Sequence, residues 1–442
     1  MIPFEYLVGP FVSLAGRLGL AWHCPGEPGI GSVFCPDRTN AEVCGARQFW
    51  YAGAGRDVTP TAAVASAVGE AFERYCLRDV GHTPTRLASL DQLSQAGVAH
   101  VRPDGLAPVL DPVRNDFTAP LQSPPPDDRL VLWVSGVDLV SGAEVYLPAQ
   151  YCFYLDHRSR YRPDHVEEPW CLPISNGAAT GPDPVAACLS GLLELVERDA
   201  FMLMWYHRLE FPRIRLDPRT RIGQRVEAVF GRSRLDVRFI DLSEVHDVSV
   251  VIAVARGAVH GRRVYALGGG AALGFDSALW KAARELAGLY GWARAEAAER
   301  ETTSPEEQIR PEQVATFRDH VRYYTDPDHH HELAFLFDEG CAALRKGPTA
   351  TTPPDADALS GLSHALHDRG IDTYAVDLTP ADAHPFGLST YKVISPQLIP
   401  LEYNHQARHL NHERLRSEPS RRGWRANEPA LADLNHAPHP FP

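Results

Sequence analysis

Several familiar signatures are missing from this chain of 442 residues. No apolar run reaches the roughly 20 residues that a membrane-spanning helix needs. The start, MIPFEYLVGPF, has neither the basic segment nor the apolar core of a signal peptide. A cytoplasmic protein with no membrane contact is therefore expected. Basic charge is also short: 43 Lys and Arg stand against 56 Asp and Glu, a formal net charge of −13. That balance argues against a broad nucleic-acid surface, and the charge is read as serving solubility. The eight cysteines contain no C-x-x-C pair, so a structural zinc site has no support, and Cys24, Cys35 and Cys44 are read as reduced thiols. G-x-x-x-x-G-K-[ST], G-x-G-x-x-G and G-x-S-x-G are all absent, which sets aside the familiar nucleotide folds and hydrolase elbows.

What is present is ordinary globular composition, 44% hydrophobic and 22% charged, with length enough for a large core and two or three subdomains. Residues 1–58 read as short strands and loops. A helix is expected from Pro60 to Asp79, and a Pro-rich loop over 102–128. Leu130–Val140 and Ala143–Leu147 read as a hairpin turning at Ser141-Gly142. Strands are expected over 237–242 and 248–256, with two more at IDTYAVDL and TYKVIS. LGGGAALG at 267–274 reads as a turn leading into a long helix from Ser277 to Arg300. A further helix start is placed at Ser304-Pro305-Glu306-Glu307. The HHH run at 329–331 reads as a loop, because adjacent histidines on a regular element do not face one metal.

A repeat runs through this organisation. Three helices share small residues followed by a glutamate at one offset: Ala63/Ser66/Ala67/Glu70, Ala187/Ser190/Gly191/Glu194 and Ala278/Lys281/Ala282/Glu285. Each follows a glycine-bearing segment, read as a turn. Small residues at helical spacing let helices pack closely, but close packing does not account for the glutamate. In the first two helices the pattern extends to Glu70-x2-Glu73-Arg74 and Glu194-x2-Glu197-Arg198, with both acids on one face. The flanking sequence is apolar, and buried carboxylates must be paired or bind a cation. Two readings follow, a nucleotide–magnesium site and a buried salt-bridge network. In the first, Glu70, Glu73, Glu194 and Glu197 serve the metal. Arg74 and Arg198 meet phosphate, and Ser66 and Ser190 add hydroxyl contacts.

At these residues the chain resembles the YcaO-domain family. Ser66-x3-Glu70-x2-Glu73-Arg74 and Glu194-x2-Glu197-Arg198 are similar to its ATP and magnesium signatures. SNGAATG…LLELVERDAFMLMW and the terminal Pro438-His439-Pro440-Phe441-Pro442 are similar to its azoline-forming branch, the D proteins of thiazole/oxazole-modified peptide synthetases. The resemblance implies an α+β fold of mixed and antiparallel sheets packed with helices, with three related glycine-turn–helix units around an ATP cleft. It implies a catalytic domain over 59–417 and a Pro-rich tail over 418–442. It also implies ATP-dependent cyclodehydration of Cys, Ser or Thr in a ribosomally made precursor peptide, with ATP and Mg²⁺ at the site. Thioamide or amidine formation, or a non-catalytic scaffolding subunit, are the alternatives.

For individual residues the resemblance implies nucleotide or substrate contact for Asn176 and positioning of a base or of the peptide amide by the Pro442 carboxylate. The expected partners are the precursor peptide, an E1-like or ThiF-like leader-binding protein and a flavin-dependent azoline dehydrogenase. No separate leader-binding domain is expected in the chain, and a homodimer is plausible. The pattern departs from the family at Ala186, Ser190 and Gly288, where Glu, Gln and Gln are usual. The family's Arg-x3-Phe element is absent, with Arg408 and Arg414 the nearest comparable charges.

Overall fold

The structure is a computed structural model. It describes residues 18–21, 26–35, 53–77, 83–107, 109–110, 123–154, 167–172, 174–303, 308–338, 355–381 and 384–441. Cys24, Cys44, residues 108 and 111–122 of the Pro-rich loop, the helix start at Ser304 and Pro442 lie outside the described residues.

The chain folds as α+β, and every ladder between its strands is antiparallel. It opens with β1 (Gly19–Ala21), β2 (Gly31–Cys35) and β3 (Gly53–Asp57), paired in that order. The helix α1 (Pro60–Cys76) follows directly. Next come β4 (Thr85–Ala88), β5 (Val131–Asp138), β6 (Glu144–Pro148) and β7 (Ala178–Gly181), then the helix α2 (Pro184–His207). The expected hairpin is β5–β6, with Val137 opposite Glu144 and Gly142 at φ 70° in the turn. A meander of β8 (Asp236–Asp241), β9 (Ser249–Val259) and β10 (Arg262–Ala272) runs into α3 (Phe275–Thr303). Finally β11 (Tyr374–Asp377) and β12 (Ser389–Ile394) close a sheet ordered β4-β5-β11-β12-β7. The helix α4 (Glu413–Arg421) then docks near the C-terminus.

The glycine segments lie largely in strands, while Asn176-Gly177 form the expected turn, with Gly177 at φ 76°. Gly53 and Gly55 lie within β3, Gly181 within β7, and Gly268, Gly269 and Gly270 within β10. Strand propensity disfavours glycine, and here packing overrides it. A Cβ on Gly53 or Gly55 would run into the backbone of Ala63, Ala67 and Ala71 on α1. One on Gly268 or Gly270 would meet the α3 backbone at Ala278, Ala282 and Leu286. Each unit is therefore a strand lying backbone to backbone on its own helix. Missing side chains on one element face small ones on the other.

The core follows from these pairs. The largest apolar cluster surrounds α2, with Phe201, Met202, Leu203 and Trp205 all at 1% exposure or less. A second joins α3 to the meander through Val251, Ala253, Ala278 and Leu286. The 329–331 histidines sit in a 3₁₀ helix, Pro327–Leu333, rather than a loop. Their rings bond the carbonyls of Ile309, Tyr324 and Asp328 separately. α4 spans the expected boundary at 417/418, with Glu418 buried. Among the described residues no helix is long and apolar enough to cross a membrane.

Candidate functional site

The recurring glutamate has a local explanation. Glu70 Oε2 accepts from the Ala54 backbone N–H of β3 at 2.8 Å. Glu285 Oε2 accepts from the Gly269 N–H of β10 at 2.6 Å. Glu194 Oε1 accepts from the Gly177 N–H, just before β7, at 3.1 Å. In each unit one carboxylate clips the helix to the glycine strand beneath it. That is why the acid keeps one offset from the small residues.

An arginine one turn on completes two of the clips. Arg74 Nη2 reaches Glu70 Oε1 at 2.6 Å, and Arg198 Nη1 reaches Glu194 Oε1 at 2.7 Å. Burial pushes Glu70 up, but Arg74 and the Ala54 N–H outweigh it, and the carboxyl lies below its ordinary range. The first acid of each motif is thus held inside the protein.

The second acids differ. Neither Glu73 nor Glu197 accepts a hydrogen bond from another described residue, and both are half-buried. Burial and the negative charge of Glu194 push Glu73 well above the ordinary value. Burial and Glu285 push Glu197 up to about 8. Glu285 is raised as well, chiefly by burial, with the Gly269 N–H and Arg56 opposing. These mutual effects bring the acids of all three helices into one cluster. Glu285, present in the repeat but not assigned by sequence reasoning, joins it.

Carboxylates whose proton affinity is raised by like neighbours fit a cation. Glu70, Glu73, Glu194 and Glu197 are the acids expected to serve magnesium and nucleotide. Among the described residues no three His, Cys, Asp or Glu side chains are arranged to hold an ion alone. Glu70 and Glu194 are each engaged by an arginine and a backbone N–H. The remaining acids suit magnesium, which keeps few protein carboxylates and completes its shell with water and phosphate.

Other expected residues fall differently. Asn176 is turned inward, 1% exposed. Its Oδ1 accepts from Arg198 and its Nδ2 donates to the Leu401 carbonyl at 2.9 Å. It orients Arg198. Ser66 and Ser190 are exposed on their helices and bond to no other described residue. Ala186 lies in the first turn of α2, its N–H capped by Asp183 at 2.8 Å. Arg414 is far from free: it binds Asp199 at 2.9 Å and Glu418 at 3.1 Å. Arg408 faces His436 at 3.4 Å.

Two residues without a sequence signature, Lys392 and Tyr154, support the cluster together with Lys281 of the third repeat. Lys392 on β12 is 1% exposed. It donates to the carbonyls of Ile174 at 2.6 Å and Tyr151 at 2.7 Å, fixing the approach to the Ser175-Asn176-Gly177 turn. Burial lowers it to about 8. Lys281 donates to Ala271 at 3.0 Å and faces Glu197 and Glu285. Tyr154 bonds Ser175 among Arg74, Glu73 and Arg198. Lone residues on strands and loops leave no periodicity to read.

The proline tail reaches the same place. The Trp205 indole donates to Ala437 at 3.1 Å, and the Tyr324 hydroxyl donates to Pro438 at 2.5 Å. His439 stacks on His320 at 4.1 Å. Phe441, 3% exposed, packs on Phe201 with ring centroids 5.0 Å apart. A Cβ added to Gly269 would meet both Glu197 Oε1 and the Phe441 ring, so Phe441 lies near the second glutamate.

With this geometry in hand, comparison with known proteins is specific. The family model for the YcaO cyclodehydratase, ATP- and Mg²⁺-binding, matches residues 54–399. A protein encoded in the tfuA 3′ region of Rhizobium leguminosarum bv. trifolii is 34% identical over 187 residues, 41% of this chain and 37% of the relative. A Methanothermobacter thermautotrophicus protein is 28% identical over 211 residues, 46% of this chain and 47% of the relative. The matches thus span less than half the length of these curated relatives. Among solved structures, a heterocyclase in complex with substrate and cofactor superposes with a TM-score of 0.75 at 20% identity, over 99% of this chain and 56% of the other. The YcaO of Methanopyrus kandleri bound with AMPPCP and Mg²⁺ gives 0.61 at 18% identity, over 90% and 89%. The E. coli microcin synthetase McbBCD complex gives 0.57 at 15%, over 91% and 95%. At these identities the structural likeness establishes the fold.

Proposed function

The chain belongs to the YcaO family, and from that premise we propose that it is an ATP-dependent cyclodehydratase acting on a ribosomally made peptide. The observation that carries this reading is the meeting of Glu73, Glu194, Glu197 and Glu285 from three helices, with Arg74 and Arg198 beside them. Such a site holds charge rather than a nucleophile. Phosphoryl transfer requires little else, because its catalysis is mostly positioning and neutralisation.

In the proposed reaction a Cys, Ser or Thr side chain of the peptide adds to the preceding backbone carbonyl. The oxygen of that adduct takes the γ-phosphoryl group of ATP. It leaves as phosphate when the ring C=N bond forms, and the X–H and N–H protons are released. The peptide loses one water, giving a thiazoline or oxazoline. Arg74 and Arg198 face phosphate oxygens, and Arg198 is aimed by Asn176 and Glu194. Glu73, Glu197 and the remaining oxygen of Glu285 would hold magnesium, which neutralises phosphate charge when bound. Phe441 brings the tail against this group. A precursor peptide, a leader-binding protein and a flavin dehydrogenase are the proposed partners. The McbBCD assembly, a complex with a comparable fold, is in keeping with such an arrangement.

Mass spectrometry of precursor treated with the chain, partner and ATP tests the reading: each ring removes one water. Thioamide formation exchanges oxygen for sulfur and gives a different mass. A scaffolding subunit, motivated by Ala186 and Ser190, releases no precursor-dependent phosphate, and then wild type and Glu197→Gln behave alike.

A further inference from the structure

The third strand–helix unit lacks what the first two have. In α1 and α2 the clip glutamate is bound by an arginine one turn later, Arg74 for Glu70 and Arg198 for Glu194. In α3 the corresponding residue after Glu285 is Leu289, buried in the core at 5% exposure. The third unit therefore brings a carboxylate to the cluster without an arginine one turn on, and Lys281 of the same helix is the cation that faces it.

Gly288, next to Leu289, shows how the gap is filled. A Cβ there would overlap Cγ, Cδ and Nε of Arg56. Arg56 belongs to β3 of the first unit, where its backbone pairs with Ser32. Its side chain crosses from β3 onto α3 through the space that a larger residue at 288 would occupy. The neighbouring Asp57 makes the same crossing, accepting from Arg284 of α3 at 3.1 Å. Arg56 is half-buried, and its positive charge acts on the clip glutamates of both units, Glu70 and Glu285. Its guanidinium hydrogen-bonds no other described residue. A buried guanidinium needs acceptors in a planar fork, which phosphate oxygens supply.

We propose that Arg56 is the phosphate-contacting cation of the third unit, delivered through the opening over Gly288 to an anionic oxygen of the bound nucleotide between Glu70 and Glu285. The proposal rests on the nucleotide reading above. It gives Gly288 a purpose, since the departure from the family pattern at that position makes room for Arg56. Each clip glutamate then has an arginine near it, two from the glutamate's own helix and one, Arg56, from the strand of the first unit.

The test is calorimetric titration of the full chain with the magnesium salt of AMPPCP, with thermal unfolding midpoints measured alongside. Arg56→Met is expected to weaken binding ten- to hundredfold, with Arg56→Lys recovering part of the loss. Gly288→Ala keeps the charge but fills its path, and is expected to weaken binding as well. Wild-type affinity in a folded Arg56→Met variant overturns the proposal. If that variant does not fold, wild-type affinity in Gly288→Ala does so instead. A wild-type chain that fails to bind the probe overturns the nucleotide reading, and the assignment of Arg56 with it. The two failures are thus separate results.

Discussion

Glu197 shows how much a single side chain in this cluster is doing. Its carboxyl is pushed up to about 8 by burial and by Glu285. A carboxyl raised above its unfolded value favours folding while it keeps its proton, and that contribution is lost as pH rises through the folded value. Without ligand, stability should therefore decline between about pH 4.5 and pH 8 as Glu197 ionises. Glu197→Gln removes the titration, and at pH 8 it should be more stable than wild type by roughly 1–2 kcal/mol. The same variant should lose ATP turnover by a hundredfold or more. Calorimetric melts at pH 5 and pH 8, with phosphate release, check both. A variant less stable than wild type at pH 8 would contradict the strain inferred for the site. The sequence displayed Glu197 openly, because E-x-x-E-R is a local pattern. It hid Arg56, since one arginine on a strand has no period. Nor did it show the contact of Asn176 with Leu401, far along the chain.

Among the elements, the three strand–helix units were legible as a repeat but not as strands. The small residues and the glutamate could be seen because both lie on one helix. The glycine runs were misread because intrinsic preference makes glycine a turn residue. Only the facing Ala63, Ala67 and Ala71 explain why a strand has none of its own side chains there. The reading has a sharp consequence. Gly55→Ala forces a methyl into the α1 backbone and should destabilise by about 2–3 kcal/mol or prevent folding. Gly291 on α3 has open space around its Cβ position, so Gly291→Ala should stabilise by about 0.5–1 kcal/mol through helix propensity. Opposite shifts in denaturant midpoint test the pair. α4 offers a second case. Arg414 holds Asp199 of α2 and Glu418 of its own helix, all three nearly sealed from solvent. Asp199 is kept below the usual carboxylate range, by Arg414 above all and by His246. Arg414→Met would remove the buried cation that the two acids share, leaving Asp199 to His246 and the Ile399 N–H and Glu418 to Arg421 and Arg422, a loss of about 3–5 kcal/mol. In the wild type this lowered carboxyl contributes stability above its unfolded value, and the contribution disappears as pH falls.

Across the whole molecule, the tail links the ends of the fold to the chemistry. The sequence shows alternating prolines, which favour an extended rod, but not where the rod lies. In the structure, groups from three well-separated segments hold it. Trp205 belongs to α2, His320 and Tyr324 to the region after α3, and Glu402 to the loop after β12. Their partners are Ala437, Pro438 and His439. Burial lowers His439 well below its ordinary value, and lowers His320 to about 4, with the His439 carbonyl opposing in the latter. A histidine depressed in the folded state stabilises above its unfolded value, and that contribution fades as pH falls. Acidification from about pH 6.5 toward pH 4 should therefore loosen the tail first, seen as a change in Trp205 environment before global unfolding. The functional counterpart is Phe441, which lies on the far side of the Gly269 Cβ position from Glu197 and carries no charge. Phe441→Ala should leave Mg–AMPPCP affinity within about threefold, since none of the proposed phosphate contacts is removed. Cyclisation of precursor should fall by tenfold or more if the tail holds the peptide amide against the site. That split, nucleotide binding kept and ring formation lost, is the signature of a positioning element. Parallel loss of both would mean that Phe441 supports the nucleotide cleft itself, and unchanged cyclisation would mean that the tail is only packed there.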